Sequence, residues 1–183
     1  MVTNFTAALA FALRPENDGQ GYHNTPGDHG GPTAWGVTFS TWLGWQRAHQ
    51  QPATLGVFQA LTEADVAPIY RAWFWAPCSC DALPGGVDAM VFDFANGSGP
   101  GTSAKLLQRV LEVDDDGQIG PQTLAAVAAL PVLSPDLAHP GLLALLYSAQ
   151  CSFLRSLGQP LFEHGWLRRR ADNLAFAKTL ASA

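Results

Sequence analysis

Charged side chains are scarce in this 183-residue sequence, where Asp, Glu, Lys and Arg supply only 14% of the residues. Hydrophobic residues supply 48%, so the chain is expected to be globular rather than disordered. The formal net charge is −5, which leaves no strongly basic groove for the phosphates of a nucleic acid. The one basic run, Arg168–Arg170, is predicted to be a solvated helix face. We therefore expect no nucleic-acid partner.

Cysteine is also rare, and its spacing is irregular. The three cysteines are Cys78, Cys80 and Cys151. An odd number without a regular framework argues against a small secreted scaffold held together by disulfides. The C-x-C pair differs from zinc-knuckle spacing, and the chain offers no second pair. All three are predicted to be ordinary buried or half-buried thiols.

Long apolar runs are missing as well. No segment reaches membrane length without charge, so we expect no stable membrane insertion. The apolar stretch near the N-terminus has no Lys or Arg before it and lacks the features of a signal peptide. The chain is expected to be made in the cytoplasm, and another factor must move it if it acts outside.

Helical periodicity is the main pattern that the sequence does show. It predicts helices over 3–14, 40–50, 62–73, 87–96, 102–111, 121–130, 140–157 and 160–180. No strand pattern of any length appears, apart from a short extended piece within the loop-rich stretch 14–38. The predicted fold class is all-α with a minor β part, and a soft boundary between two lobes is expected near Gly97–Gly101.

The loop-rich stretch reads RPENDGQGYHNTPGDHGGPTAWGVT and carries a candidate general acid, Glu16. Glu16 follows a helix whose apolar face must be buried, and burial raises the pKa of a carboxyl group toward the value that a general acid needs. Loop glycines allow Asp28 and Thr33 to return toward it. A carboxylic acid facing a second carboxylate or a hydroxyl is typical of glycosidases. A solvated loop with Asp and Asn turns is the alternative.

The sequence predicts no metal site at either of two clusters of potential ligands. The H-x₄-D-H run at 23–29 is no recognised ligand motif. The acidic turn after residue 111 matches the first half of a calcium loop at Glu112, Asp114 and Asp116. However, Thr123 stands where such a loop requires a bidentate glutamate. A tight connection between helices, with Asp residues at a helix N-terminus, is the alternative.

A second polar break occurs at Asn96–Gly99, where one helix is predicted to end and another to begin. The exposed amide and backbone groups could form a cleft wall that hydrogen-bonds the N-acetyl and hydroxyl groups of a sugar. A plain connection between two helices is an equally well supported alternative. The chain contains no G-x-S-x-G, P-loop or dinucleotide motif, and Cys151 has no obvious partner histidine.

The segment GYHNTPGDHGGPTAWGVT, preceded by Glu16, resembles the N-terminal signature of glycoside hydrolase family 108. Later segments resemble the C-terminal region of that family, among them VFDFANGSGPGTSAKLLQRVL, DDDGQIGPQTLAAV and GWLRRRADNL. The family glutamate lies three residues before the tyrosine, whereas Glu16 lies six before Tyr22. Either the loop is three residues longer here, or Asp18 takes that place. The matching positions of the signature are Tyr22, Asn24, Pro26, Asp28, Gly30, Gly31, Thr33, Gly36 and Thr38.

The resemblance implies a lysozyme-like, two-lobed helical domain over 1–183 with a small β-like flap. It implies a catalytic lobe at about 1–97 and a peptidoglycan-binding-type lobe at about 98–183. The implied enzyme is an N-acetylmuramidase that cleaves the β-1,4 bond between N-acetylmuramic acid and N-acetylglucosamine in bacterial peptidoglycan. It needs no cofactor or metal, and a monomer is expected.

The resemblance also assigns roles to residues. Glu16 is the expected general acid, with Asp28 and Thr33 positioning water or stabilising the transition state. The glycan is expected to be bound by Tyr22, Trp35 and Asn96.

Two alternatives remain open at this point: a lytic transglycosylase that cleaves the same bond, and a non-catalytic module that binds cell wall. The chain would reach the periplasm either as a phage endolysin released from the cytoplasm or as an exported bacterial secretion factor.

Overall fold

Helices dominate the architecture, with one small sheet, and this confirms the predicted fold class. The computed structural model describes residues 4–14, 21–24, 31–136 and 138–182. The strands are β1 (Tyr22–His23), β2 (Thr33–Ala34) and β3 (Val37–Thr38). The α-helices in the described residues are α1 (Phe5–Ala12), α2 (Phe39–Ala48), α3 (Leu55–Gln59), α4 (Glu63–Tyr70), α5 (Val87–Ser98), α6 (Pro100–Val110), α7 (Pro121–Ala128), α8 (Leu142–Ser156) and α9 (Pro160–Ala181).

The chain divides into two compact units. The small unit is Leu9–Ala72, and the large unit combines Met1–Ala8 with Trp73–Ala183. The large unit is therefore built from two separate stretches of sequence. The functional division into a catalytic lobe at about 1–97 and a binding lobe at about 98–183 stays a prediction.

Helix α5 is the central helix of the large unit. Every residue from Val87 to Ala95 is buried, including two aspartates, and α5 packs against α6, α8 and α9. A helix that is buried all round lies in the middle of a core, whereas a surface helix buries only one stripe. Phe5 packs edge-on against both Trp75 and Phe92, so the first turn of α1 belongs to the same core.

The basic run near the C-terminus was predicted to be solvated, and for two of its three residues this is wrong. Arg169 Nη2 donates to Asp93 Oδ1 at 2.7 Å, and Arg170 Nη2 donates to Asp93 Oδ2. The side chains of Asp93 and Arg170 are only 1% and 4% exposed. Arg168 is exposed as predicted. A buried carboxylate on α5 therefore draws two arginines of α9 into the core.

The helix break predicted within Asn96–Gly99 falls at the last of these residues. Helix α5 continues through Asn96 and Gly97 to Ser98, and the chain turns at Gly99, where φ is +84°. Pro100 then occupies the first turn of α6, where its missing N–H costs nothing. The break falls at the residue that best tolerates positive φ, immediately before a proline.

The small unit has an aromatic core. Phe58 packs against Tyr22, Phe39 and Trp42, with ring centroids 6.2, 5.0 and 5.4 Å away. Both Trp42 and Phe58 are fully buried. Helix α3, which carries Phe58, was not predicted, because five residues are too few for helical periodicity to show.

The spacing of Thr62 and Asp65 in the sequence predicts a capping box at the start of α4, and the structure confirms it. The Asp65 carboxylate accepts hydrogen bonds from the Thr62 N–H at 2.8 Å and from the Thr62 hydroxyl at 2.6 Å. These bonds lower the pKa of Asp65. After α4, which contains Pro68, the chain continues as a π-helical turn over Arg71–Trp75. Proline removes one helical donor, and such turns are often found near functional sites.

The three cysteines are free and buried, as predicted. Burial and the neighbouring Cys78 thiol strongly raise the pKa of Cys80.

Of the helices in the described ranges, none combines the length and apolar character needed to cross a bilayer.

Candidate active site

The small sheet holds three of the predicted site residues, Tyr22, Thr33 and Trp35. Strands β1 and β2 are antiparallel, with Tyr22 opposite Ala34 and His23 opposite Thr33. Strands β2 and β3 are also antiparallel, with Thr33 opposite Thr38. The loop-rich stretch is therefore organised, in its described part, as a three-stranded flap in the order β1-β2-β3.

The register separates the site residues onto two faces of this flap. Side chains directly opposite each other share a face, and successive side chains along a strand alternate. Tyr22 and Ala34 thus share the face that is turned toward Phe58, and Ala34 is fully buried there. Thr33 lies on the other face together with His23 and Thr38.

The polar face consists of partly accessible side chains. Thr33 is half-buried, and its hydroxyl donates to the Gly31 carbonyl at 3.1 Å. The Thr38 hydroxyl caps α2 by accepting from the Thr41 N–H at 3.3 Å. The Thr33 hydroxyl keeps acceptor capacity after its donation, so it can still bind water or a sugar hydroxyl.

Trp35 and Gly36 form the two-residue turn between β2 and β3. Their φ angles are +52° and +72°, as a type I′ hairpin turn requires at both central positions. Two contacts with the helical part of the small unit hold this turn. The Trp35 indole N–H donates to the Leu61 carbonyl at 2.7 Å, and the Tyr70 hydroxyl donates to the Trp35 carbonyl at 3.0 Å. Trp35 can therefore offer a glycan its ring but not its N–H.

Replacing Gly36 with alanine is expected to destabilise the flap by about 2 kcal/mol, because positive φ costs an L-residue roughly 1–2 kcal/mol. In addition, a Cβ at this position would lie 2.5 Å from the Tyr70 hydroxyl oxygen but 3.8 Å from Cζ of that ring. Urea denaturation measures the loss. The matched control is the same change in a Tyr70→Phe background, where the loss should be smaller because the clashing oxygen is gone. Equal losses in both backgrounds would contradict the proposed clash.

Glu16 and Asp28, the two carboxylates on which the catalytic prediction rests, are outside the described residues, as is Asp18. Asn96 is half-buried in the last turns of α5 and belongs to the large unit. The structure thus places Tyr22, Thr33 and Trp35 on the flap, with Tyr22 and Thr33 on opposite faces.

The acidic turn between α6 and α7 is organised by a buried glutamine. Gln108 Nε2 donates to Asp116 Oδ1 at 2.7 Å and to the Gln118 carbonyl at 3.0 Å. Gln108 Oε1 accepts from the Gly117 N–H at 2.8 Å. Among the residues that the structure describes, no group of three or more His, Cys, Asp or Glu side chains could hold a metal ion. Asp116 serves this turn as a hydrogen-bond acceptor.

The sequence predicts no metal site at His23 and assigns this residue no other role. The register places His23 directly opposite Thr33, on the same face of the flap. A histidine in this position can donate or accept a hydrogen bond beside Thr33. The signal was the short alternating segment around Tyr22, which is too brief to predict a strand by itself.

Known proteins are similar to this chain over nearly its whole length. The family model for glycosyl hydrolase 108 matches residues 14–99. The solved structure of Brucella abortus SagA is similar over 98% of this chain and 97% of SagA, with a TM-score of 0.75 and 31% sequence identity. No curated protein matches.

The mostly helical fold, the three-stranded flap and these similarities define a glycoside hydrolase of the kind that acts on peptidoglycan. The chain belongs to the glycosyl hydrolase 108 family.

Proposed function

We propose that the chain is an N-acetylmuramidase, which hydrolyses the β-1,4 bond between N-acetylmuramic acid and N-acetylglucosamine. Glu16 donates a proton to the glycosidic oxygen, so that the leaving sugar departs as a neutral alcohol. Water then attacks the anomeric carbon and loses its proton to a carboxylate. The products are two shorter glycans, one of which has a new reducing end.

The other site residues serve the same step. Asp28 stabilises the positive charge that develops on the sugar ring, or takes the proton from the attacking water. The Thr33 hydroxyl positions that water. Tyr22, Trp35 and Asn96 contact the glycan, Trp35 through its ring face and Asn96 through its amide.

The observation that carries the proposal is the flap register, combined with family membership. In that register Thr33 lies opposite His23, and Tyr22 is on the neighbouring strand. In the sequence, Glu16 lies six residues before Tyr22, and Asp28 lies between β1 and β2. This order supports a role for both carboxylates next to the flap.

Digestion of purified peptidoglycan tests this function against its rivals. A muramidase releases fragments that end in a reducing N-acetylmuramic acid, and mass spectrometry identifies them. A lytic transglycosylase leaves a 1,6-anhydro end instead. A non-catalytic module binds the sacculi and releases no fragments. Either of those results would overturn the proposed reaction.

Replacing Asp28 with asparagine is expected to lower the rate of fragment release by about a hundredfold, at the low end of acid–base contributions. The amide keeps the shape of the side chain but loses its negative charge and its ability to take a proton. Thermal melting should show a much smaller effect on the fold. A large drop in melting temperature with near-normal specific activity of the remaining folded protein would contradict a role in the reaction.

We also propose that the enzyme acts as a monomer on the cell wall in the periplasm, after release as an endolysin or after export. The family's place in cell-wall degradation supports this location.

A further inference from the structure

Three large apolar side chains are exposed where α8 meets α9, with Leu157 directly after α8 and Leu161 and Phe162 in the first turn of α9. Leu157, Leu161 and Phe162 are 43%, 84% and 53% exposed. All residues from Arg155 to Phe162 are exposed to solvent. We call this segment, 155–162, the apolar tip. Single exposed leucines are common on proteins, but three large apolar side chains within six residues form a patch.

The apolar tip is attached to a well-packed base. The Phe162 ring stacks on Trp166, with centroids 5.8 Å apart and an interplanar angle of 23°. Trp166 and Phe153 in turn pack against the buried cluster of Phe94, Leu106 and Leu154. The exposed side chains are therefore carried on an ordered part of the large unit.

The charges beside the apolar tip are mainly positive. Between residues 155 and 168 there are two arginines, Arg155 and Arg168, against one acid, Glu163. Both arginines are exposed. The chain as a whole carries a formal charge of −5, so this region differs in sign from the rest. Under physiological conditions, salt screens the interaction between charges that are more than about 8 Å apart. The charges nearest to the apolar tip therefore have the largest effect on which surfaces attract it.

Two other partners fit the apolar tip less well. Three side chains of this kind expose on the order of 300–400 Å², less than the roughly 800 Å² per partner that a stable dimer buries. A sugar ring requires flat aromatic faces with polar groups beside them, and two of the three tip side chains are leucines. An exposed apolar segment with exposed arginines two residues before Leu157 and six residues after Phe162 matches the interface of a bilayer with anionic headgroups.

We propose that the apolar tip is a peripheral membrane-contact site. Leu157, Leu161 and Phe162 enter the boundary between headgroups and acyl chains, while Arg155 and Arg168 pair with anionic headgroups. The contact is interfacial. It uses residues of the large unit and does not depend on the proposed reaction.

Sedimentation with lipid vesicles tests the proposal. The intact protein should bind vesicles of phosphatidylethanolamine and phosphatidylglycerol, and the triple variant Leu157→Ser, Leu161→Ser, Phe162→Ser should bind about tenfold less. The matched control is the double variant Leu55→Ser, Val57→Ser, whose side chains are exposed to a similar degree, at 45% and 49%. It should bind like the intact protein. Equal losses in both variants, or no binding by the intact protein, would overturn the proposal.

A fluorescent label reports the depth of the contact. The native cysteines are buried, so a Leu161→Cys variant can be labelled selectively with an environment-sensitive dye. Its emission should shift to the blue with anionic vesicles and much less with pure phosphatidylcholine, and a Leu55→Cys control should not shift. A blue shift that follows protein concentration without lipid indicates a dimer. A shift with lipid-free peptidoglycan alone indicates a glycan site. Either result would replace the membrane assignment.

Discussion

Replacing Glu16 with glutamine is expected to abolish the release of fragments from purified peptidoglycan, with a rate loss of a thousandfold or more, in the range of about 10²–10⁴ for acid–base catalysis. Glutamine has the shape of glutamate but carries no transferable proton, so the leaving sugar would have to depart as an unstabilised alkoxide. The measurement is the rate of new reducing ends, with thermal melting to show that the variant is folded.

Two further variants sharpen this experiment. Glu112→Gln is the control, because Glu112 is exposed in the acidic turn and should not affect the rate. Asp18→Asn tests the alternative alignment, in which Asp18 takes the place of the family glutamate. If the Glu16 variant keeps near-normal activity and the Asp18 variant loses it, the assignment of the general acid is wrong.

The second large effect concerns stability. Replacing Asp93 with asparagine is expected to reduce the free energy of unfolding by about 3–5 kcal/mol, the usual cost of removing one partner from a buried ion pair. The variant leaves Arg170, which is 4% exposed, without a counter-charge. Since small domains are stable by only about 5–15 kcal/mol, the transition in urea should move far toward lower concentration.

An exposed ion pair in the same unit provides the control. Arg109 and Asp115 form a 2.5 Å pair with side chains 59% and 44% exposed. Breaking that pair by Asp115→Asn should cost less than about 1 kcal/mol. A similar cost for both variants would show that burial does not set the strength of the Asp93 pair. In an Arg170→Met background, Asp93→Asn should also cost less, because fewer buried charges are left unpaired.

The pair also predicts a pH dependence. Burial alone would raise the pKa of Asp93, but the charges of Arg170 and Arg169 and their hydrogen bonds outweigh it and lower the pKa. Its stabilisation is therefore complete above the unfolded pKa of about 3.9 and is lost as pH falls through the folded value. The difference in stability between the intact protein and Asp93→Asn should narrow in acid. A constant difference would contradict this linkage.

The helices could be predicted because each leaves a local pattern. Helices α8 and α9 lie where the periodicity placed them, and the cap of α4 was visible in the spacing of Thr62 and Asp65. The environment of the arginines could not be predicted in the same way. Their partner, Asp93, is 76 and 77 residues away, in a different helix. The available signal was Asp93 itself, a carboxylate within the apolar segment VFDFA, which requires a buried partner.

The sequence predicts which residues form the candidate site but not how their side chains are arranged. The signature identified Tyr22 and Thr33, and both lie on the small flap. Strands of two residues are too short to show alternation, so the sequence did not indicate that these side chains face opposite ways. Nor did it show that the Trp35 N–H bonds to Leu61, since that bond depends on the path of the chain 26 residues later.

The large unit combines Met1–Ala8 with Trp73–Ala183, and this has a consequence for how the chain folds during synthesis on the ribosome. Asn4 donates through Nδ2 to Asp88, 84 residues later in the chain. At about 5–20 residues per second, translation of that interval takes roughly 4–17 s, and until then Asp88 is not available to accept the hydrogen bond from Asn4. The nascent small unit, Leu9–Ala72, can acquire its aromatic core during that time. We therefore expect the first residues of the chain to be among the last to become protected from proteolysis as the polypeptide emerges.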